Sequence, residues 1–215
     1  MRNDNWIHIF SGRKFYPCDP RPEEIDIIDI AHALSMLCRF TGHTKNFYSV
    51  AQHSAICSCI VPRKDARWGL LHDAPEAYLA DIARPIKPLL TNYKQLETQL
   101  LRAVAERFDL PWPMPESIHE ADDVLVCTER RDLLRPGHDW GEWTRSINML
   151  PDAICPIGPA EAEEMFIARY LELFPISPAE AATDVAAPVA LDSDENDEQF
   201  YLRKQSGLPI RGGTP

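Results

Sequence analysis

The chain has 215 residues, 45% hydrophobic and 26% charged, which suits a soluble globular protein with one ordinary domain and a real core. Its formal net charge of −11 argues against general binding of nucleic acid, and no apolar run approaches the ~18 residues a membrane helix needs. No long apolar stretch lies in the N-terminal "MRNDNWIHIF", so no secretory signal is read there. The 6 cysteines are scattered without a CxxC pair, which predicts reduced thiols, mostly packed as small apolar groups, in a cytoplasmic protein.

In chain order, residues 7–16, "IHIFSGRKFY", alternate apolar and polar around Ser11-Gly12 and predict a small β-hairpin, ended by Pro17, Pro20 and Pro22. "IDIIDIAHALSMLC" places Ile27, Ile30, Ala31, Leu34, Leu37 and Cys38 at helical spacing. "SVAQHSAICSCIV" predicts a second helix capped by Ser49, and "KDARWGLLHDAPEAYLA" a third that Pro75 bends or ends. "NYKQLETQLLRAVAERF" carries a stripe of Leu96, Leu100, Leu101, Val104 and Phe108, the pattern of an amphipathic fourth helix. "SIHEADDVLVCTERRDLL" and "PAEAEEMFIARYLELF" predict the fifth and sixth helices. The expected body, residues 1–175, is all-α with a minor hairpin at its start. Residues 176–215 read as a flexible acidic tail, with Asp184, Asp192, Asp194, Glu195, Asp197 and Glu198 close together. With that charge set aside, the body has room for a cationic pocket that takes a small anion.

Three of these helices offer metal-type ligands. His53 lies in the second, His72 and Asp73 in the third, and Asp122 in the fifth. Neutral imidazole with carboxylate suits one divalent transition metal such as Co, Mn or Zn. Helices packed on a shared core can aim such groups inward from different directions. An ion held this way keeps open positions for water and a phosphate oxygen, the arrangement that metal-assisted phosphate hydrolysis needs.

The order His53…His72-Asp73…Asp122 resembles the signature of the HD-domain metal-dependent phosphohydrolases. The blocks "FSGRKFY", "LCRFTGHTKNFYSVAQHS", "LLHDAPEAYLADIARPIK" and "EADDVLVCTERRDL" resemble the small 5'-deoxynucleotidase branch, which includes bacteriophage and prophage proteins. The resemblance implies an HD-type helical bundle with His53, His72, Asp73 and Asp122 as metal ligands. Asp122 is preferred to Asp123 because the branch places Ala-Asp before an apolar stretch. Glu76, four residues after His72 and on the same face of a continued helix, would donate a proton or orient the attacking water. Asp81 would sit near the sugar 3'-hydroxyl. Arg39 and Phe40 stand where the branch has an Arg-Trp pair, so Arg39 would grip phosphate and Phe40 would pack on the sugar. Lys87, between Pro85 and Pro88, would make a second phosphate contact, and His43 would either touch substrate or bond locally. The run Glu129, Arg130, Arg131 and Asp132 is read first as supporting ion pairs within one helix, with Glu129 and Arg130 reaching the pocket or forming a subunit contact as the alternatives.

The implied reaction is conversion of a deoxynucleoside monophosphate to deoxynucleoside and phosphate. Removal of triphosphate from a deoxynucleoside triphosphate uses the same ligands and stays open; further basic residues in the pocket would favour it. A non-catalytic nucleotide-binding or interaction protein is the alternative of another class. Relatives of the branch form homo-oligomers, which is the expectation by analogy for this chain, together with a small-molecule partner and neither polymeric nucleic acid nor membrane.

Overall fold

The computed structural model describes residues 4–175, and within them the protein is helical apart from one hairpin. The hairpin pairs β1 (Ile7–His8) antiparallel with β2 (Lys14–Phe15), Ile7 opposite Phe15 and His8 opposite Lys14. The strands are shorter than the alternation over 7–16 suggests, because a wide turn with Gly12 at φ +81° takes up the middle. Phe15 plugs the core, and Arg13 ties the hairpin to the first helix through Asp26 (3.1 Å) and Asp29 (2.9 Å).

The first helix, α1 (Ile27–Met36), starts where the Asp26 carboxylate accepts a hydrogen bond from the Ile28 N–H, and it buries Ile27, Ile28, Ile30, Ala31 and Leu34. After it, α2 (Val50–Ile60) is capped by Ser49, whose hydroxyl accepts from the Gln52 N–H at 3.1 Å, as the sequence suggests. Val50, Ala51, His53, Ala55 and Cys57 are all buried, because α2 is enclosed by α1, by α3 (Ala66–Leu71), by α6 (Glu116–Leu133) and by α8 (Pro159–Leu173). A helix covered on so many sides needs small residues at its crossings. At the α2–α3 crossing that residue is Gly69: a Cβ there would stand 2.8 Å from the Ser58 Cα and 3.0 Å from the Val61 Cγ2.

The third predicted helix is interrupted at Pro75, as expected, and only the continued helix face joining His72 to Glu76 is corrected: α3 ends at Leu71, a tightened turn runs through His72–Pro75, and α4 (Glu76–Leu79) follows. Pro75 has no N–H to donate, so the turn closes instead by three-residue steps, from the Ala74 N–H to the Leu71 carbonyl (3.1 Å) and from the Glu76 N–H to the Asp73 carbonyl (2.9 Å). Glu76 therefore reaches the site through this turn and not along one helix face. Further on come α5 (Tyr93–Arg107) and α6, close to the predicted spans, then an irregular stretch with a short α7 (Glu142–Arg145) that periodicity did not indicate.

The cysteine expectation is also adjusted. All 6 cysteines are free, but only Cys57 and Cys127 are buried, while Cys18, Cys59 and Cys155 are exposed. No helix among the described residues is long and apolar enough to cross a membrane. The tail expected over 176–215 lies outside the described residues.

The Gly69 contact yields a test. Gly69→Ala forces α2 and α3 apart, and overpacking of this kind costs about 1–3 kcal/mol, which for a domain of this size lowers Tm by roughly 3–10 °C. Differential scanning calorimetry of the variant checks this; an unchanged Tm contradicts the close crossing.

Candidate metal centre

Four side chains from three parts of the chain converge where α2, the turn after α3 and α6 meet. The His53 Nε2 lies 3.3 Å from the His72 Nε2, 3.3 Å from the Asp122 Oδ1 and 3.6 Å from the Asp73 Oδ2. The His72 Nε2 lies 3.2 Å from the same Asp73 oxygen. His53, His72 and Asp122 form a group that can hold a metal ion, and Asp73 borders it.

The imidazoles are aimed by what their other nitrogens do. The His72 Nδ1 lies 2.9 Å from the Gly69 carbonyl, which can only accept, so Nδ1 carries the proton and Nε2 turns toward the cluster. The His53 Nδ1 lies 2.6 Å from the Glu129 Oε1, which likewise directs His53 Nε2 inward. A carboxylate or carbonyl behind each imidazole is the usual arrangement in protein metal sites.

Glu129 follows the alternative that sequence reasoning ranked second. It is not a member of an exposed ion-pair run; it is fully buried, accepts a hydrogen bond from the Tyr48 hydroxyl at 2.9 Å and pairs with Arg39 at 3.2 Å. The available signal was spacing: Glu129 follows Asp122 by two helical turns and so shares its stripe of α6. Arg130 and Arg131 do point outward, Arg131 onto Asp132 and the Leu150 carbonyl.

Arg39, expected to grip phosphate, sits among the carboxylates. Its buried guanidinium pairs with Glu129 (3.2 Å), Asp73 (3.4 Å) and Asp122 (3.7 Å), so it balances the carboxylates while also lining the cavity beside them. Burial opposes ionisation of Asp73 and Asp122, but His53 and Arg39 facing both, with His72 against Asp73, hold the two carboxyls well below the usual range. For His53, burial and Arg39 push the imidazole down; Glu129 and Asp122 outweigh them and lift it to about 9. Each group thus favours its charged form because a partner of opposite sign is fixed beside it.

Next to the cluster opens a cavity of about 720 Å³. Arg39, Phe40, Asp73, Glu76, Asp81, Lys87 and Asp122 all line it, as does His43, whereas His53 and His72 lie behind the carboxylates. Glu76 is buried, and its Oε2 has no hydrogen-bond partner among the described residues. Burial, Asp73 and Asp81 push its carboxyl well above the usual range, which favours the protonated form. Lys87 is not a free cation: it donates to Glu97 at 2.9 Å and lies 3.6 Å from Glu76. Arg84, unanticipated, lies on the cavity wall 3.4 Å from Asp122.

The backbone on both sides of the cavity is strained. Phe40 (φ +54°, ψ +32°) and Thr41 (φ +52°, ψ +31°) are consecutive left-handed residues, and Ala80, just before Asp81, sits at φ +66°, ψ +161°. Such conformations cost of order 1–3 kcal/mol each and persist only where the surroundings enforce them. Here the loop of 39–48 is pinched at its base by the Arg39 N–H to Tyr48 carbonyl (2.9 Å) and Val50 N–H to Leu37 carbonyl (3.0 Å) bonds. Phe40 and Asp81, on these two strained segments, both line the cavity.

Glu129→Gln keeps the shape but removes the charge behind His53. Losing such a supporting partner weakens metal binding roughly 10–100-fold. Calorimetric titration with zinc or manganese measures this; unaltered affinity shows that Glu129 serves packing alone.

No known protein-family model matches the chain. It is 40% identical over 173 residues to the protein YfdR of Escherichia coli strain K12, covering 79% of this chain and 96% of YfdR. It is 39% identical over 186 residues to a protein of Rhodobacter capsulatus, covering 77% of this chain and 93% of that protein. Both relatives are named as uncharacterized proteins.

Proposed function

The chain belongs to the family of YfdR, and from that premise we propose that it is a metal-dependent phosphohydrolase of the HD-domain kind, acting on deoxynucleotides. The observation that carries the proposal is the convergence of two aimed imidazoles and two ionised carboxylates at the edge of a cavity lined by both acids and cations. Oxygen and nitrogen donors of this mixture suit a divalent transition metal. His53, His72, Asp73 and Asp122 would hold it, with Glu129 and the Gly69 carbonyl fixing the imidazoles. A bound divalent ion supplies Lewis acidity at the phosphoryl group and water of lowered pKa.

The chain's own residues do the rest. Arg39, which lines the cavity beside the carboxylates, would reach a phosphate oxygen there. Lys87 adds a second positive charge where the phosphoryl group gains negative charge in the transition state. Glu76, protonated in its buried position, gives its proton to the departing sugar oxygen. Asp81 accepts from a sugar hydroxyl, and Phe40 packs on the sugar face. The net charge of −11 agrees with a small-molecule substrate and not with polymeric nucleic acid. A monophosphate is the leading substrate. Arg84, an extra cation on the cavity wall, favours removal of triphosphate from a deoxynucleoside triphosphate as the second reading.

The test is a panel of deoxynucleoside and ribonucleoside mono- and triphosphates with added Mn, Co or Zn, reading phosphate and tripolyphosphate release separately. Metal-dependent release is expected, and Asp73→Ala lowers it by about 10³-fold or more, in keeping with a group acting at the reacting centre. No release from any member with any metal, by protein that remains folded, contradicts the enzymatic reading and leaves a binding protein.

A further inference from the structure

One wall of the cavity is aromatic, and its two tryptophans have no part in the chemistry above. Trp140 and Trp143 come from the irregular stretch after α6, and both line the cavity. They are 36% and 41% exposed, so a part of each indole stays open beside the cavity. Phe40 completes the wall: its ring centroid lies 6.2 Å from that of Trp140, tilted by 46°, so neither ring spends its face on the other.

The stretch that presents these rings is built and held. The Arg130 guanidinium donates to the His138 carbonyl at 2.9 Å and sits 5.0 Å over the Trp140 ring, while Arg130 itself does not line the cavity. Asp139 accepts from the Gly141 N–H at 3.1 Å and pairs with Arg145, closing the loop across both tryptophans. Gly141 takes φ +102° between them, a conformation that favours glycine. On the cluster side, Arg84 lies 6.0 Å from the Trp143 ring centroid and 3.4 Å from Asp122. One side chain thus spans from the aromatic wall to the metal cluster.

We propose that Trp140 and Trp143 form a stacking subsite for the nucleobase of the substrate, with Arg84 bridging between base and phosphate. A planar base matches exposed indole faces that carry cations near them, because every base presents a π-face and stacks without needing a specific hydrogen-bond pattern. The cavity of about 720 Å³ also exceeds what a phosphate and one ion would fill, leaving space for sugar and base along the aromatic wall. This subsite rests on the nucleotide reading of the pocket, but it is tested by binding and not by turnover.

The experiment titrates purified protein in EDTA, which suppresses metal-dependent hydrolysis, with dAMP and with deoxyribose 5-phosphate as the base-free comparator. Calorimetry or quenching of tryptophan fluorescence gives the affinities. The wild type is expected to bind dAMP more tightly than the comparator. The Trp140→Ala/Trp143→Ala double variant weakens dAMP about 5–100-fold, the span of base–aromatic stacking, toward the affinity of the comparator. The Trp140→Phe/Trp143→Phe double variant, which keeps a ring at each position, stays within about threefold of wild type and guards against a simple folding defect. Equal binding of dAMP and deoxyribose 5-phosphate by the wild type overturns the subsite, as does a Trp140→Ala/Trp143→Ala variant that binds dAMP like the wild type. Base-dependent binding without metal-dependent release would keep the subsite and defeat the hydrolase reading; release that is indifferent to the base and to both tryptophans would do the reverse.

Discussion

The structure is organised around a problem of charge. Asp73, Asp122 and Glu129 approach a single guanidinium, that of Arg39, within 3.2–3.7 Å, and Glu129 has no contact with solvent. Leaving one partner of a buried pair uncompensated costs about 3–5 kcal/mol, so three carboxylates here demand more positive charge than one arginine brings. The protein meets part of the demand by lifting His53 to about 9, which makes the imidazole itself a cation at neutral pH. In the proposed reading a divalent ion would meet it better, at the point where His53, His72 and Asp122 already face, with Asp73 beside them. Its binding would free His53 to lose a proton.

That demand explains why distant parts of the fold are so closely set. The α2–α3 crossing has to be tight, and Gly69 makes it so; the same residue offers its carbonyl to His72. The hairpin is locked onto α1 by Arg13, and α1 packs on α2 and on α4, so that the helix carrying His53 and the short helix that begins with Glu76 share one support. The strained residues Phe40, Thr41 and Ala80 then shape the mouth of the site from two sides. Rigid helices hold the charged cluster, and the loops facing it carry the groups that would meet a ligand.

Much of this was legible in the sequence, for identifiable reasons. The helices follow their apolar stripes, Ser49 caps α2 because its hydroxyl can satisfy a free N–H, and the ligand types His53, His72, Asp73 and Asp122 lie on elements that a bundle brings together. The break at Pro75 was harder to resolve, because a proline can end a helix or merely tighten it into a turn, and only the packing decides. Glu129 was ranked as an ion-pair residue first because a carboxylate beside two arginines looks like a solvated run; its burial depends on Tyr48 and Arg39, which arrive from a loop far away in the chain. Trp140 and Trp143 escaped for a related reason. They sit in a stretch with no periodicity, where nothing local tells an exposed ring from a packed one.

The most direct measurement is diffraction from crystals soaked in zinc, with anomalous differences collected at the zinc edge. The account predicts one strong peak in each molecule, about 2.0–2.2 Å from the Nε2 atoms of His53 and His72 and from carboxylate oxygens of Asp73 and Asp122, the distances zinc adopts with such ligands. Zinc found only at surface carboxylates, with His53 and His72 still facing each other and no peak beside them, would contradict it.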